Sequence, residues 1–537
     1  MIKLLKSADF LSFLVNAIFF GVFLFVGTLE YGGADDYFLA AVLEGGFGDG
    51  YNPHLYFVNT LYGALLIPLY SLIPSVSWYY VGELFAVFIS LTVLGSLLVR
   101  LVGVKWGVVL TALLSAACSP IFYFQVQFTQ CASILTAAGG ASLIAYGLKP
   151  RKKSLLIVVF LILWGSFMRW EAFLMGLPFL AAAALVSIKD FNIGWKRAFV
   201  ILSSIFFLIV GTHYIDKALY DNDRYRTYKE FQGPRAILGD SRNYDKPVVY
   251  NSLEKEGMSG KDFYMAASWK FYDTQVFSVE NMKKMAGYVK AYSYSFDLKK
   301  VSSKLVRALR LSMGHPICWI FFIFCLVVLI SNPKRGLYPW LALFFIAIMV
   351  GYLISIERLV LRVECGFWIY GTALAIPLMG ALKPLPQKIF VVAISLVFLS
   401  SVVFAPNSDS EKQREQYKQV SKYIAQHSQY VFLFSLPQYM SYARYAKPAY
   451  KSVEVGGLKN CISLGYWNQY LPEITEHLSK MGVQNPIRDV VQDNVIVVGD
   501  ATLGDFLQRH YYDSIKVDTL DKIGNSIFYK YRLETAK

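Results

Sequence analysis

The chain is built from a succession of apolar runs, most of them about twenty residues long and separated by short polar loops. A helix of that length matches the hydrocarbon thickness of a bilayer. One soluble core cannot bury so many runs, because cores stop growing near about 250–300 residues. Of the 537 residues, 55% are hydrophobic and only 17% are charged. The sequence therefore predicts an all-α polytopic membrane protein. It argues against a soluble enzyme, a disordered chain and a disulfide scaffold.

Eleven apolar runs are predicted to be transmembrane helices, which together form a multi-span module over residues 1–405. They cover residues 10–28, 78–99, 106–124, 130–147, 152–169, 171–188, 198–215, 312–331, 337–356, 364–382 and 389–405.

The short loops between these runs set the predicted orientation. With the N-terminus in the cytoplasm, every short loop rich in Lys and Arg also falls in the cytoplasm, as the positive-inside rule requires. This holds only if the apolar run 56–74 does not cross fully. We predict that this run lies at the outer interface or re-enters, because Pro53, Pro68 and Pro74 interrupt it. Two short spans within residues 56–100 keep the same parity and stay open as an alternative.

The net charge of +15 would suggest nucleic-acid binding in a soluble protein. Here most of the excess of Lys and Arg lies in the predicted cytoplasmic loops and in one long outer loop. The charge therefore reflects the orientation of the chain in the membrane, and no nucleic-acid partner is expected. The sequence contains no N-x-S/T sequon, which favours the cytoplasmic membrane of a bacterium over a secretory-pathway membrane.

Three segments are predicted to lie outside. Residues 29–77 form a first outer loop with interfacial helices, residues 216–311 a large polar loop, and residues 406–537 a soluble extracytoplasmic domain. In this domain, strand-like runs alternate with polar helical stretches, which predicts an α/β fold. The strand-like runs are 430–436, 494–498 and 526–531, and the helical stretches include 411–427 and 470–482.

An acidic pair, Asp35-Asp36, follows the first predicted span by a few residues, in a loop without Lys or Arg. A carboxylate at the membrane edge can act as a general base toward an acceptor hydroxyl. A close second carboxylate can raise the pKa of the first or help to hold a metal. Asp35 and Asp36 are therefore the candidate catalytic residues, with His54 of the same loop in support. The plain alternative is a solvated acidic loop.

Arginines at later outer turns run against the positive-inside trend. They are Arg169, Arg358 and Arg362. A guanidinium binds phosphate in bidentate fashion, so we predict that they hold the phosphate of a donor. Arg358 and Arg362 are four residues apart and would share one face if helical. The alternative is pairing with nearby acids and snorkelling. Supporting positions are Glu171, Glu357, Glu364, Gln127 and Gln130, and for the two glutamines helix capping is the preferred interpretation.

Taken together, these residues resemble the GT-C superfamily of membrane glycosyltransferases, which take a sugar from a polyprenyl-phosphate donor. The resemblance implies that one residue of the pair Asp35-Asp36 is the catalytic base. Arg169 and Glu171 look like the Arg-x-Glu element of several members, although Trp170 stands where the family's common form has proline. Arg358 and Arg362 match more weakly.

The resemblance implies an inverting transfer from a polyprenyl-phosphate sugar to a cell-surface glycan, glycolipid or similar acceptor at the outer face of the membrane. No cofactor is expected, and nothing indicates a divalent metal, although the acidic loop is compatible with one. A polysaccharide polymerase or ligase acting on lipid-linked glycans is the nearest alternative. A lipid or solute transporter is an alternative from another class, and it predicts ionisable residues deep within the spans.

Overall fold

The computed structural model describes residues 7–295, 298–403 and 410–534. The basic N-terminal hexapeptide and the predicted domain boundary at 405–406 lie outside these residues. The multi-span part contains helices α1 (Ala8–Val26), α4 (Trp78–Val102), α5 (Val104–Phe122), α6 (Phe128–Leu148), α7 (Lys152–Met168), α8 (Trp170–Ser187), α9 (Trp195–Leu219), α15 (Pro316–Ser331), α16 (Leu337–Ser355), α17 (Leu361–Ala375) and α18 (Gln387–Val403). Single 3-10 turns lie at Ile188–Asp190, Pro333–Arg335 and Ile376–Leu378.

Each of the predicted spans falls on one of these helices, but their number as full spans is not confirmed. Within the described residues, seven helices are long and apolar enough to cross a membrane, or eight if one bent pair is counted as one span. The chain is thus a multi-pass helical protein. The predicted span 312–331 falls on α15, and the bend lies at its start. There the chain turns by 88° between α14 (Leu298–Ser312) and α15.

Helix α6 lies at the centre of the bundle, where it packs against α4, α7, α8 and α17. Its sequence is rich in Ala, Gly, Ser and Thr, and small side chains of this kind let helices approach closely in a membrane. The outer end of α6 is therefore fixed from several sides. This matters because the turn that precedes it reaches the functional site.

The basic loops predicted to be cytoplasmic meet at one end of the bundle. Arg335 pairs with Asp190 at 2.8 Å, and the Lys105 ammonium donates to the carbonyl of Leu385 at 3.0 Å. The turns predicted to be on the other side meet at the opposite end. There the amide of Asn59 donates to the carbonyl of Phe167 at 2.8 Å. The loops therefore fall into the same two groups that the positive-inside rule predicts.

The first outer loop contains α2 (Ala34–Leu43) and α3 (Thr60–Leu72). Gly32 donates to the carbonyl of Val126 at 2.8 Å, which pins the start of α2 to the turn before α6. Helix α3 covers the run 56–74 whose placement was in question. Asn59, before its first residue, contacts Thr212 and Phe167. Residues 75–77, after its end, bond to residues 450–452 of the C-terminal unit. Both ends of α3 thus lie at the same end of the bundle.

The segment 216–311, predicted only as a polar loop, is largely helical. It contains α10 (Asp223–Asp240), α11 (Lys246–Lys255), α12 (Gly260–Ala267), α13 (Val279–Ala291) and α14. Helix α10 presents a buried stripe at helical spacing that includes Tyr225, Tyr228, Gln232 and Arg235. This stripe faces the other outer segments.

The C-terminal unit is an α/β fold, as predicted. It comprises α19 (Ser410–Gln426), β1 (Val431–Phe434), α20 (Leu436–Tyr445), β2 (Cys461–Ser463), α21 (Pro472–Lys480), a 3-10 turn (Arg488–Val491), β3 (Val495–Val498), α22 (Gly504–His510), β4 (Ile515–Ile523) and β5 (Ser526–Leu533). The strand order is β2-β1-β3-β5-β4, parallel across β2-β1-β3 and antiparallel across β3-β5-β4. The sequence-based prediction missed β2, which is very short, and β4, whose residues are mostly exposed.

Acidic residues of the first outer loop bind this unit. Glu30 is almost fully buried and pairs with Arg414 at 2.7 Å and with Arg444 at 2.9 Å. Glu44, also buried, pairs with Lys447 at 3.1 Å. Much of the acidity of the loop is therefore used to hold the C-terminal unit against α2.

Candidate functional site

A cavity of about 690 Å³ opens where the multi-span part, the segment 216–311 and the C-terminal unit meet. Its wall is formed by the outer ends of α6 to α9, the chain before α3, the turn between α16 and α17, helix α10 and two residues of the C-terminal unit. Charged and aromatic side chains line the polar side. Apolar side chains, among them Met175, Leu353, Ile356, Val360 and Val363, line the remainder.

Asp35 lies in the first turn of α2 and its side chain reaches the cavity wall. One carboxylate oxygen, Oδ1, accepts a 2.6 Å hydrogen bond from the hydroxyl of Tyr466. The other, Oδ2, lies 3.9 Å from the guanidinium of Arg362. Asp35 is thus a partly exposed carboxylate with one oxygen anchored, which suits a general base.

Asp36 points the other way and does not line the cavity. It is fully buried, its Oδ1 accepts from the backbone amide of Phe128 at 3.0 Å, and its carboxyl lies beside that of Glu83. Burial raises the pKa of the Asp36 carboxyl to about 7. The two acids predicted as one catalytic pair therefore differ in environment, and only Asp35 faces the space where a substrate would lie.

Arg169 caps the junction between α7 and α8 and lines the cavity. Its Nε donates to Glu171 at 2.8 Å, and its guanidinium lies over the rings of Phe57 and Phe128, 5.1 and 5.3 Å from their centroids. Glu171 is also part of the wall. The pairing with an acid that the sequence allowed is present, and it holds the guanidinium at the cavity.

Arg358 and Arg362 both line the cavity, but not as neighbours on one helix face. Arg358 precedes α17, which begins at Leu361, and it pairs with Asp240 at 3.0 Å. Glu357, the residue before it, has a positive φ of 58° and pairs with Lys304 at 2.9 Å. A strained backbone turn therefore aims Arg358 at the cavity.

Arg235 of α10 is the main residue that the sequence did not single out. Its side chain lines the cavity although the residue is only 3% exposed. Nε donates to Gln232 at 3.0 Å, and the guanidinium lies 5.6 Å from the ring centroid of Trp269. Within the residues that the structure describes, no carboxylate forms an ion pair with it. A buried guanidinium without a counter-charge is costly, so its place on the wall favours an anionic ligand.

Trp269 supports Arg235 and is itself held in a strained position. Its backbone φ is +61°, in a region that residues other than glycine rarely adopt. A Cβ at Gly239 would lie 2.4 Å from its ring, and a Cβ at Gly465 would lie 2.3 Å from its carbonyl oxygen. Only glycine fits at both positions. Two glycines thus make room for the aromatic surface on which Arg235 rests.

The remaining predicted residues lie away from the cavity. His54 bonds to Asn52 and stacks on Tyr225, 4.2 Å between ring centroids, and burial lowers its pKa. Glu364 is buried and accepts from Ser312 and Trp368. The side-chain amide of Gln130 lies 2.8 Å from the carbonyl of Gln125, which fits the capping interpretation. Gln127 is buried beside Gly33 and precedes α6 without a side-chain capping hydrogen bond, so the capping interpretation does not hold for it.

In the described part of the chain, no three His, Cys, Asp or Glu side chains cluster in a way that would hold a metal ion. The cavity instead combines carboxylates, among them the anchored Asp35, with several guanidinium groups, next to an apolar wall. Such an arrangement can accept a proton at one point and bind an anion at another.

No protein-family model matches the chain, and no curated protein matches it. Among solved structures, it is similar to two crystal structures of ArnT from Cupriavidus metallidurans, one in the apo state and one bound to undecaprenyl phosphate. The identities are 11% and 10% and the TM-scores 0.40 and 0.38. Each likeness covers 96% of this chain and 97% of the other. A likeness of this extent assigns no function, so the function has to rest on the chain's own residues.

Proposed function

We propose that the chain is a membrane glycosyltransferase. It takes a sugar from a polyprenyl-phosphate donor and transfers it to a hydroxyl of a cell-surface glycan, glycolipid or similar acceptor, at the outer face of the cytoplasmic membrane. The observation that carries the proposal is the meeting of Asp35 and the buried Arg235, which has no ion-pair partner among the described residues, in one cavity.

Asp35 is proposed as the general base. As the acceptor oxygen forms a bond to the anomeric carbon, its proton passes to the carboxylate of Asp35, and the bond from the anomeric carbon to the phosphate oxygen breaks. The electron pair of that bond leaves with the phosphate. Attack and departure on opposite faces invert the anomeric centre.

The departing phosphate gains negative charge, and fixed cations stabilise that charge best when they need no rearrangement. Arg235 is assigned this role first, because it has no acidic partner within the described residues. Arg169, Arg358 and Arg362 already neutralise Glu171, Asp240 and Asp35 in part, so they add positive potential without being fully available.

The apolar wall of the cavity fits the lipid tail of the donor. Leu353, Ile356, Val360 and Val363 lie at the outer end of α16, in the turn after it and at the start of α17, beside Arg358. A phosphate at Arg235 and Arg358 would thus have apolar surface within reach of its first isoprene units. This favours a lipid-linked donor over a soluble nucleotide sugar.

The test is transfer by purified full-length protein in lipid, supplied with a panel of polyprenyl-phosphate sugars and with cell-envelope glycans as acceptors. Released polyprenyl phosphate is quantified by mass spectrometry. We expect Asp35→Asn to lose turnover by about a hundred-fold or more, as loss of a general base does. Asp49→Asn, an isosteric change of an exposed acid in the same loop, is the control and should keep turnover. Full turnover by Asp35→Asn would exclude the proposed base.

A further inference from the structure

Resting on the function proposed above, we infer that the C-terminal unit is a working part of the site, and that its Tyr466 positions the base Asp35. The observation is the 2.6 Å hydrogen bond from the Tyr466 hydroxyl to Oδ1 of Asp35. The two residues are 431 positions apart in the chain. The contact therefore depends on how the first outer loop and the C-terminal unit are held together.

The hydrogen bond gives the two carboxylate oxygens of Asp35 different surroundings. Oδ1 is held by Tyr466, while Oδ2 accepts no hydrogen bond from the described residues and has the guanidinium of Arg362 at 3.9 Å. A carboxylate held at one oxygen cannot rotate freely, so the other oxygen keeps a fixed direction. Fixed placement of a catalytic group is worth a large factor in rate.

Tyr466 is rigid enough for this task. It is 5% exposed, and its ring packs edge-on against Phe38, 5.1 Å between centroids, and near Tyr439, Trp467 and Trp269. Burial raises the pKa of its hydroxyl, which therefore stays protonated and donates. Phe38 belongs to the same helix as Asp35, so donor and acceptor share one packed cluster.

The ion pairs of the first outer loop fix the relative position of the two parts. Glu30 lies just before α2 and bonds to Arg414 and Arg444. Glu44 lies just after α2 and bonds to Lys447. Both ends of the short helix that carries Asp35 are thus tied to the unit that carries Tyr466. This arrangement explains why a small domain is held so firmly against an acidic loop.

The hydroxyl has a chemical effect as well as a geometric one. A hydrogen bond donated to a carboxylate favours its charged form, and loss of the donor disfavours that form. Removing the hydroxyl should therefore move the acid limb of the pH profile to higher pH, which a purely structural defect would not do.

The experiment is the pH profile of kcat/KM for Tyr466→Phe in the full-length protein, with polyprenyl-phosphate sugar as the varied substrate. We expect kcat to fall by about ten-fold or more, since a hydrogen bond to a charged group is lost. The acid limb should shift upward, and KM for the lipid donor should stay within about two-fold because the phosphate-binding arginines are untouched.

Tyr439→Phe is the matched control. Tyr439 is equally buried in the same cluster and accepts a hydrogen bond from Asn468 at 2.9 Å, but it does not bond to Asp35. It should keep the wild-type acid limb. An unchanged profile in Tyr466→Phe, or the same shift in Tyr439→Phe, would overturn the inference. The turnover of Asp35→Asn separates a failure of this inference from a failure of the proposed function. If Asp35→Asn is inactive, the proposed base stands whatever Tyr466→Phe does. If Asp35→Asn is active, Asp35 is not the base.

Discussion

The carboxyls of Asp36 and Glu83 lie side by side in the interior behind the first turn of α2, and both side chains are fully buried. Oδ2 of Asp36 and both carboxylate oxygens of Glu83 have no hydrogen-bond partner among the described residues. Two carboxyls this close, without a paired cation among the described residues, cannot both be charged. The pair therefore holds a proton.

This proton makes stability depend on pH. Burial raises the pKa of Asp36 to about 7, so the folded state binds a proton that the unfolded state has released. The contribution is complete below about pH 3.8, the ordinary pKa of Asp, and is lost progressively as pH rises to about 7. We expect the Tm of the wild type to fall between about pH 4 and 7, and that of Asp36→Asn to fall less over the same range, as measured by thermal unfolding in detergent.

Asp49→Asn is a suitable control, because Lys459 lowers the pKa of Asp49 and moves it away from this window. Its Tm should show the same dependence on pH as the wild type across this window. An equal pH slope in Asp36→Asn and wild type would contradict a shared proton between Asp36 and Glu83.

Arg235 gives an unusual prediction about stability. A buried guanidinium without a counter-ion costs free energy in the empty protein, so Arg235→Met should leave Tm unchanged or raise it. Adding polyprenyl phosphate should raise the Tm of the wild type and leave that of the variant unchanged. Arg226→Met, an exposed change on the same helix, should keep the response to ligand. A ligand response in Arg235→Met equal to the wild type would remove Arg235 from the phosphate site.

Glu30 tests how firmly the C-terminal unit is held. Glu30→Gln removes a buried charge that two arginines share, and the loss should cost about 1–3 kcal/mol, because Arg414 and Arg444 keep partial access to water. Limited proteolysis should cleave the variant between the multi-span part and the C-terminal unit sooner than wild type. Asp49→Asn, whose ion pair with Lys459 is exposed, should resist like the wild type. Equal cleavage rates for all three proteins would show that the ion pair at Glu30 does not hold the unit.

The parts of the site that sequence predicted were those where charge is rare. Arg169 and Arg358 stand in short outer turns and Asp35 in the first outer loop, close to apolar helices, where a charge has to be explained by a partner or a ligand. Because a bundle brings its turns together at one end, these residues reach the same cavity. The same logic grouped the basic loops at the other end.

Arg235 was missed because it lies in a polar segment, where one more Arg does not stand out. The buried stripe of α10 was nevertheless visible as a helical spacing of Tyr225, Tyr228, Gln232 and Arg235. Had residues 223–240 been predicted to be helical, Arg235 would have fallen on the buried face of that helix. The contact of Tyr466 with Asp35 had no such signal, since it depends on how the C-terminal unit docks.

The topology is tested by labelling single cysteines in intact cells. Asp49 belongs to the first outer loop and Lys418 to the C-terminal unit, and both side chains are exposed. Lys334 lies at the basic end of the bundle. We expect Asp49→Cys and Lys418→Cys to react with an impermeant maleimide, and Lys334→Cys to react only after permeabilisation. The six native cysteines are buried, so they contribute little background. Labelling of Lys334→Cys in intact cells would overturn the orientation, and labelling of only one of the other two would contradict their common side.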